Sequence, residues 1–110
     1  MAKLEDLDAY SHLACHQFPK IERHVLASAI RQCLIQITET AITAFKRKQK
    51  TAALFDLDVK VAVLKHLVRK SYALHYINDH KFHVWSGHVL ELGRMVGGWL
   101  KHESAKEKKG

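Results

Sequence analysis

Four segments of the chain place apolar residues at alternating spacings of three and four, the pattern of a helix with one buried face. The first segment runs from about Lys3 to Gln17, and the second from about Lys20 to Lys48. The third runs from Thr51 to about Tyr76, and the fourth reaches about His102. No segment shows the strict alternation of a β-strand, so the pattern predicts an all-α protein.

Each predicted helix carries one stripe of residues that we expect to be buried. The third helix also has a second apolar edge at Val59, Val63 and Leu67, which predicts a second packing partner or a neighbouring subunit. The stripes consist of Leu4, Leu7, Ser11 and Ala14 in the first helix; Leu26, Ile30, Cys33, Ile37, Ala41 and Ala44 in the second; Leu54, Leu57, Val61, Leu64, Val68 and Ser71 in the third; and Phe82, Trp85, Val89, Leu92, Val96 and Trp99 in the fourth.

The helix boundaries follow from capping chemistry. Pro19 is expected to open the second helix, because proline has no backbone donor to lose at a first helical position. Thr51 is expected to cap the third helix, and Asn78 or Asp79 the fourth. Short connections between long helices favour antiparallel neighbours. We therefore predict one domain over residues 1–103, an antiparallel up-and-down four-helix bundle, followed by a charged, disordered tail over residues 104–110.

The composition is compatible with this prediction and indicates the cellular compartment of the protein. The chain has 110 residues, of which 47% are apolar, and only five glycines and one proline. No apolar run reaches the roughly 18 residues of a membrane span, and the amino terminus does not resemble a signal peptide. Cys15 and Cys33 lack a C-x-x-C spacing and are expected to be core residues in a reducing compartment. These features predict a cytoplasmic protein that does not bind membranes.

The charge is basic and unevenly distributed. The chain has 18 Lys and Arg residues against 11 Asp and Glu residues. Residues 1–45 are near neutral, whereas residues 46–110 hold fourteen of the basic residues and six of the acidic ones. A one-sided excess of this kind favours binding of a polyanion, although a solubilising charge would give the same count.

Three glycines stand in the fourth helix at Gly93, Gly97 and Gly98. Each lowers helix stability by on the order of 1 kcal/mol relative to alanine, which a sequence tolerates where another backbone must come close. That backbone could belong to another helix of the same bundle or to a second subunit or partner. The pattern does not distinguish these two alternatives.

Three motifs lie along the chain: Phe18-Pro19-Lys20 with Arg23 and Ile30-Arg31, the run Leu64-Lys65-His66-Leu67-Val68-Arg69, and the run Glu-Leu-Gly-Arg-Met-Val-Gly-Gly-Trp-Leu over residues 91–100. The last run is similar to the closing signature of the accessory variability determinant (Avd) family of diversity-generating retroelements. The first motif is similar to the first turn and second helix of that family, and the second motif fits its third helix. The resemblance extends from about Asp6 to Lys101. Four-helix proteins encoded in intervening sequences of ribosomal RNA genes share the architecture and remain an alternative.

The resemblance implies a non-enzymatic protein that assembles as a homopentamer around a positively charged channel. Such a protein binds a reverse transcriptase together with RNA and cDNA, and supports mutagenic cDNA synthesis. It also implies that Lys65, Arg69 and Arg94 carry basic side chains on the binding surface. Lys60 and Lys70 could extend that surface, although Lys70 points about 100° away from Arg69.

The densest basic cluster consists of Lys46, Arg47, Lys48 and Lys50. It could contact phosphates, but positive charge at a helix carboxyl end also complements the helix dipole. No aromatic residues are interleaved with the cluster, so contact with the nucleic-acid backbone is favoured over base stacking there.

Nine histidines raise the question of a metal site. His12 and His16 are four apart with Cys15 beside them, and His80 and His83 are three apart. Neither pair has an evident third ligand, so we predict no metal site and no cofactor.

One enzymatic alternative rests on Arg69 and His75. Their spacing is similar to the arginine-to-histidine motif of HEPN ribonucleases, in which the histidine acts as base and the arginine stabilises charge. On a helix the two side chains would lie about 120° apart, which does not favour joint action.

Overall fold

The computed structural model describes residues 2–109, and within them every side chain except those of Glu22, Lys108 and Lys109. Over this range the chain forms one all-helical domain with no β-strand, as the apolar pattern predicts. No helix there combines the length and apolar character needed to cross a bilayer. The elements are α1 (Ala2–Cys15), a single 3₁₀ turn (Glu22–His24), α2 (Leu26–Lys46), α3 (Thr51–Ala73) and α4 (Asp79–Lys109).

The predicted stripes form the core. Every stripe residue of α1, α2 and α3 is buried, and so are the four central stripe residues of α4, from Trp85 to Val96. The end residues of that last stripe, Phe82 and Trp99, are half-buried and pack against the core. α3 packs against both α2 and α4, whereas α1 packs mainly against α4. Burial of each large aliphatic or aromatic side chain contributes roughly 1.5–3 kcal/mol to this association.

A polar link inside the core joins α1 to α4. The indole Nε1 of Trp85 donates a 2.8 Å hydrogen bond to Ser11 Oγ, which itself donates a 2.7 Å bond to the Leu7 carbonyl. Trp85 and Ser11 are 0% and 1% exposed, so neither group can exchange its partner for water. The serine in the α1 stripe therefore satisfies the one polar atom of the largest core side chain.

The start predicted for the second helix is wrong. α2 begins at Leu26, not next to Pro19, and the connection after α1 consists of turns and the 3₁₀ turn. The stripe of the second helix begins only at Leu26, and Ile21 and Val25 before it are exposed. No buried face therefore holds this segment in an α-helix. The guanidinium of Arg23 fastens the connection by donating bonds of 2.9 and 3.2 Å to the His16 and Phe18 carbonyls.

The starts of α3 and α4 differ in how they are capped. The predicted Thr51 cap is wrong, because Lys50 is the cap residue of α3 and the Thr51 hydroxyl is buried without a hydrogen-bond partner. The prediction for α4 is confirmed in Asn78, whose Oδ1 accepts a 2.8 Å bond from the Lys81 amide. This is the bond that an asparagine N-cap makes to the third helical residue.

α4 is longer than predicted. It continues past His102 through the segment expected to be a disordered tail and ends at Lys109, with Gly110 outside the described residues. Residues 103–109 contain Glu, Ala and Lys, which are strong helix formers, and no glycine or proline interrupts them.

α3 ends in a Schellman motif with a histidine at the position usually held by glycine. His75 has φ of 62°, in the left-handed region. Its amide donates to the Tyr72 carbonyl at 2.9 Å, and the Tyr76 amide donates to the Ser71 carbonyl at 3.0 Å. These two bonds satisfy carbonyls that the helix end would otherwise leave unpaired.

Candidate nucleic-acid interface

The carboxyl-terminal half of α3 presents three of the predicted binding residues to solvent. Lys65 and Arg69 are exposed and four residues apart, so their side chains project from the same face of the helix. Lys70 is also exposed and lies about 100° around the helix from Arg69. In the described part of the chain, the one ion pair joins Lys3 to Glu91, so all three cations are electrostatically unpaired.

Arg69 and Lys70 line an open concavity where α3 ends and α4 begins. The other residues that line it are His66, Tyr72, Ala73 and Phe82. The rings of Tyr72 and Phe82 are stacked, with centroids 4.2 Å apart and planes 13° apart. Tyr72 donates a hydrogen bond from its hydroxyl to Asp79 Oδ1, and this bond raises the pKa of Tyr72. Neither aromatic residue was predicted as part of the site.

Arg94 lies on α4 and is exposed. Its charge lowers the pKa of Glu91, although the larger cause is Lys3, whose Nζ donates a 2.9 Å hydrogen bond to that carboxylate. Arg94 does not line the concavity that holds Arg69 and Lys70. It therefore lies on a separate part of the basic surface.

The cluster at the α2–α3 connection lies far from Arg69. Lys46, Arg47 and Lys48 are exposed, and Arg47 and Lys48 line a second concavity together with Glu107. Nineteen residues separate Lys50 from Arg69, nearly the whole of α3, which corresponds to about 29 Å at the helical rise. Apart from Arg94 on α4, the predicted basic residues thus fall into two groups, one before the start of α3 and one in its carboxyl-terminal half.

Lys50 has a structural role that distinguishes it from its neighbours. Its Nζ donates bonds of 2.7, 3.0 and 2.7 Å to the carbonyls of Ala44, Phe45 and Arg47. All three ammonium hydrogens are therefore used at the carboxyl end of α2, where the helix dipole favours a cation. Lys50 thus stabilises the end of α2, which is the second of the two roles considered for the cluster. Lys46, Arg47 and Lys48 form no ion pair in the described residues and remain available to bind phosphates.

Lys60 also points away from the basic surface. It is half-buried and donates a 2.8 Å bond from Nζ to Thr40 Oγ1 on α2. The ammonium group therefore lies in the α2–α3 contact, and Lys60 does not extend the surface formed by Lys65 and Arg69.

Among the described residues, no other helix brings its backbone close to the three signature glycines. A Cβ atom at Gly97 or Gly98 would meet nothing within 4 Å. One at Gly93 would lie 3.7 Å from Val61 Cγ1, an ordinary van der Waals distance. Packing inside the bundle therefore does not account for these glycines.

The histidines and cysteines do not assemble a metal site in the described residues, where no group of three or more potential ligands is found. The His12 and His16 rings pack edge to face with centroids 5.0 Å apart. Cys15 and Cys33 are buried free thiols, and burial raises the pKa of Cys15 to about 11 despite the opposing charge of Arg31.

Arg69 and His75 line different concavities. Arg69 lies in the one with Phe82, whereas His75 lies in another with Gln17, Asn78 and His80. His75 also occupies the left-handed position of the Schellman motif beyond the end of α3. The two concavities adjoin, since Tyr72 and Ala73 line both, but Arg69 and His75 each line only one of them.

These features define a small all-helical protein with an exposed, largely unpaired basic surface along α3 and α4. The sequence matches a family model described as bAvd-like over residues 1–103, and the chain belongs to this family. A comparison with individually curated proteins finds no match.

Proposed function

We propose that the chain is the accessory protein of a diversity-generating retroelement, which acts in the cytoplasm and binds a reverse transcriptase together with RNA and cDNA. Membership of the bAvd-like family supports the retroelement setting. The observation that carries nucleic-acid binding is the exposure of Lys65, Arg69 and Arg94 without an ion-pair partner in the described residues. Exposed cations that make no ion pair are available to neutralise phosphates.

The proposed role is one of binding rather than catalysis. The Avd-like family is a family of accessory proteins with no known catalytic activity. Separation of Arg69 from His75 also weighs against a HEPN-like ribonuclease.

An antiparallel, up-and-down order of the four helices belongs to the same proposal. Lys3 of α1 bonds to Glu91 of α4, whereas Ser11, further along α1, bonds to the earlier residue Trp85. The order of contacts is thus reversed between the two helices, which supports an antiparallel pair.

We further propose that the protein assembles as a homopentamer. Two surfaces support self-association: the exposed apolar residues Phe55, Val59 and Val63 on the outer face of α3, and the uncovered glycines of α4. Solution mass by light scattering tests this, and a value near five times 12.6 kDa is expected. A monomeric or dimeric mass would contradict the pentamer.

Nucleic-acid binding is tested by titrating labelled RNA with the wild type and with the variant Lys65→Ala/Arg69→Ala. Loss of two phosphate contacts should weaken binding and lower the dependence of log affinity on log salt by about two. The control Lys20→Ala/Arg31→Ala removes the same charges from exposed positions outside the site. Equal affinity of the two variants would overturn the proposed surface.

The retroelement setting is tested by the neighbouring genes and by co-purification. A reverse transcriptase gene and a variable repeat beside this gene, with capture of that reverse transcriptase by the chain, are expected. A position inside a ribosomal RNA gene would instead favour the related intervening-sequence proteins.

A further inference from the structure

We propose that the concavity between the end of α3 and the start of α4 receives one unpaired base of a single-stranded nucleic acid. The phosphates next to that base would lie against Arg69 and Lys70. This inference rests on the proposed function and deepens it, because it specifies single strands as the ligand of this part of the surface.

The wall of the concavity is aromatic and held in place. Tyr72 and Phe82 both line it and stack on one another at 4.2 Å. Both are half-buried, so part of each ring is accessible, and the bond from Tyr72 to Asp79 fixes the orientation of the tyrosine. Nucleic-acid bases stack on aromatic side chains regardless of sequence, and a preordered ring loses little entropy on binding.

The rim of the concavity is cationic. Arg69 and Lys70 are exposed, free of ion pairs among the described residues, and accompanied by His66 one turn earlier. The neighbouring carboxylate, that of Asp79, accepts the Tyr72 hydrogen bond. An aromatic surface beside two free cations matches the two chemical parts of a nucleotide, the flat base and the charged phosphate.

This combination distinguishes single strands from duplexes. In a duplex both faces of each base are covered by neighbouring bases, so an aromatic side chain has no base surface to contact. Lys65 and Arg94 do not line the concavity and would bind either form through phosphates. The aromatic wall of the concavity would therefore add affinity for single strands only.

The test uses the full chain, a short single-stranded RNA carrying one 2-aminopurine, and the same RNA in a duplex. Binding of the single strand by the wild type should change the 2-aminopurine fluorescence through stacking on an aromatic ring. Phe82→Leu, which keeps an apolar side chain but removes the ring, should weaken single-strand binding roughly tenfold and leave duplex binding unchanged. Phe45→Leu makes the same change at an exposed ring outside the concavity and serves as the matched control, with single-strand affinity near that of the wild type.

Arg69→Gln separates the phosphate contact from the stacking contact. It should weaken single-strand and duplex binding alike and lower the salt dependence of each by about one. A folded Phe82→Leu variant that binds single strands as the wild type does would overturn the base site. If that variant does not fold, the fluorescence measurement on the wild type tests the proposal alone. Unchanged 2-aminopurine fluorescence on binding would overturn the base site.

The outcomes distinguish this inference from the proposed function. Equal binding of single strands and duplexes, still dependent on Lys65 and Arg69, would remove the base site and leave the charged surface intact. Absence of any nucleic-acid binding by the wild type would remove both.

Discussion

The ammonium group of Lys50 shows how one residue of a basic cluster can serve the fold and its neighbours can serve the surface. Its three hydrogen bonds satisfy carbonyls that α2 leaves unpaired where it ends. Lys48, two residues earlier, is exposed and makes no such bonds. The sequence shows two lysines in one connection, two residues apart, and does not distinguish their roles. The roles depend on where the carbonyl groups at the end of α2 point.

Replacement of Lys50 by methionine keeps most of the side-chain length and removes the donors. We expect Lys50→Met to lower the free energy of unfolding by roughly 1–2 kcal/mol, as for lost hydrogen bonds from a charged donor. Lys48→Met, with the same change in charge, should alter it by less than about 0.5 kcal/mol. Urea denaturation measures both, and similar midpoints for the two variants would contradict the capping role.

His75 offers a second test at the residue scale, because its backbone is in a conformation that glycine adopts without strain. His75→Gly should raise the free energy of unfolding by about 0.5–1 kcal/mol, as relief of left-handed strain exceeds the added entropy of the unfolded chain. His75→Ala retains a Cβ and should give no such gain. Thermal denaturation of the wild type and the two variants tests this. If His75→Ala also stabilised the protein, the gain would have a cause other than relief of the left-handed backbone conformation.

The helices themselves were largely predictable, whereas their ends were not. Burial of stripe residues such as Ile37 and Leu64 follows directly from a spacing of three and four, since this spacing returns to one face. The start of α2 at Leu26 depends on Arg23 bonding back to carbonyls near the end of α1. These bonds join a side chain to backbone carbonyls five and seven residues earlier, and such bonds leave no periodic signal.

The candidate site divides in the same way. Lys65 and Arg69 could be placed on one face from their spacing and from the family resemblance. Tyr72 and Phe82 could not be assigned to the site, because they are ten residues apart on different helices and meet only when α3 packs against α4. The structural roles of Lys50 and Lys60 could not be predicted either, because the sequence shows where charged residues stand but not their hydrogen-bond partners.

The contact between α1 and α4 is expected to depend on Ser11. Ser11→Ala leaves the Trp85 indole N–H buried without an acceptor, which should lower the free energy of unfolding by about 1–3 kcal/mol. Ser71→Ala is the matched control, since Ser71 is equally buried but bonds only to the Leu67 carbonyl of its own helix. Its effect should stay below about 1 kcal/mol. Equal effects in denaturant titrations would mean that the bond between helices adds nothing.

At the scale of the whole molecule, the outward face of α4 links helix stability to assembly. A Cβ atom at Gly98 or Gly87 would meet nothing within 4 Å among the described residues, and alanine at either should stabilise the helix by up to about 1 kcal/mol. If the signature glycines admit a second subunit, only Gly98→Ala should also weaken assembly. Light scattering over a dilution series measures this, with Gly87→Ala as the control. Unchanged assembly of the Gly98 variant would exclude that glycine from the interface.

The basic surface is extended rather than focused, since the molecule is 51 Å long and its cationic groups lie at both ends of α3. A compact anion could meet only one of these groups. A long polyanion could meet both, which agrees with the proposed nucleic-acid ligand.

The placement of α1 has a consequence for the order of folding. α3 packs against α2 and α4, its neighbours in the chain, so these three helices can associate through short loop closures. α1 contacts mainly α4, through pairs separated by 88 and 74 residues. α1 therefore docks only after nearly the whole chain has been synthesised, and its amides should exchange with solvent through a lower-energy opening than those of α3. Each such opening would uncover Trp85 and leave a transient three-helix form with an exposed apolar groove. In the proposed assembly, exchange of α1 between subunits would begin from that form.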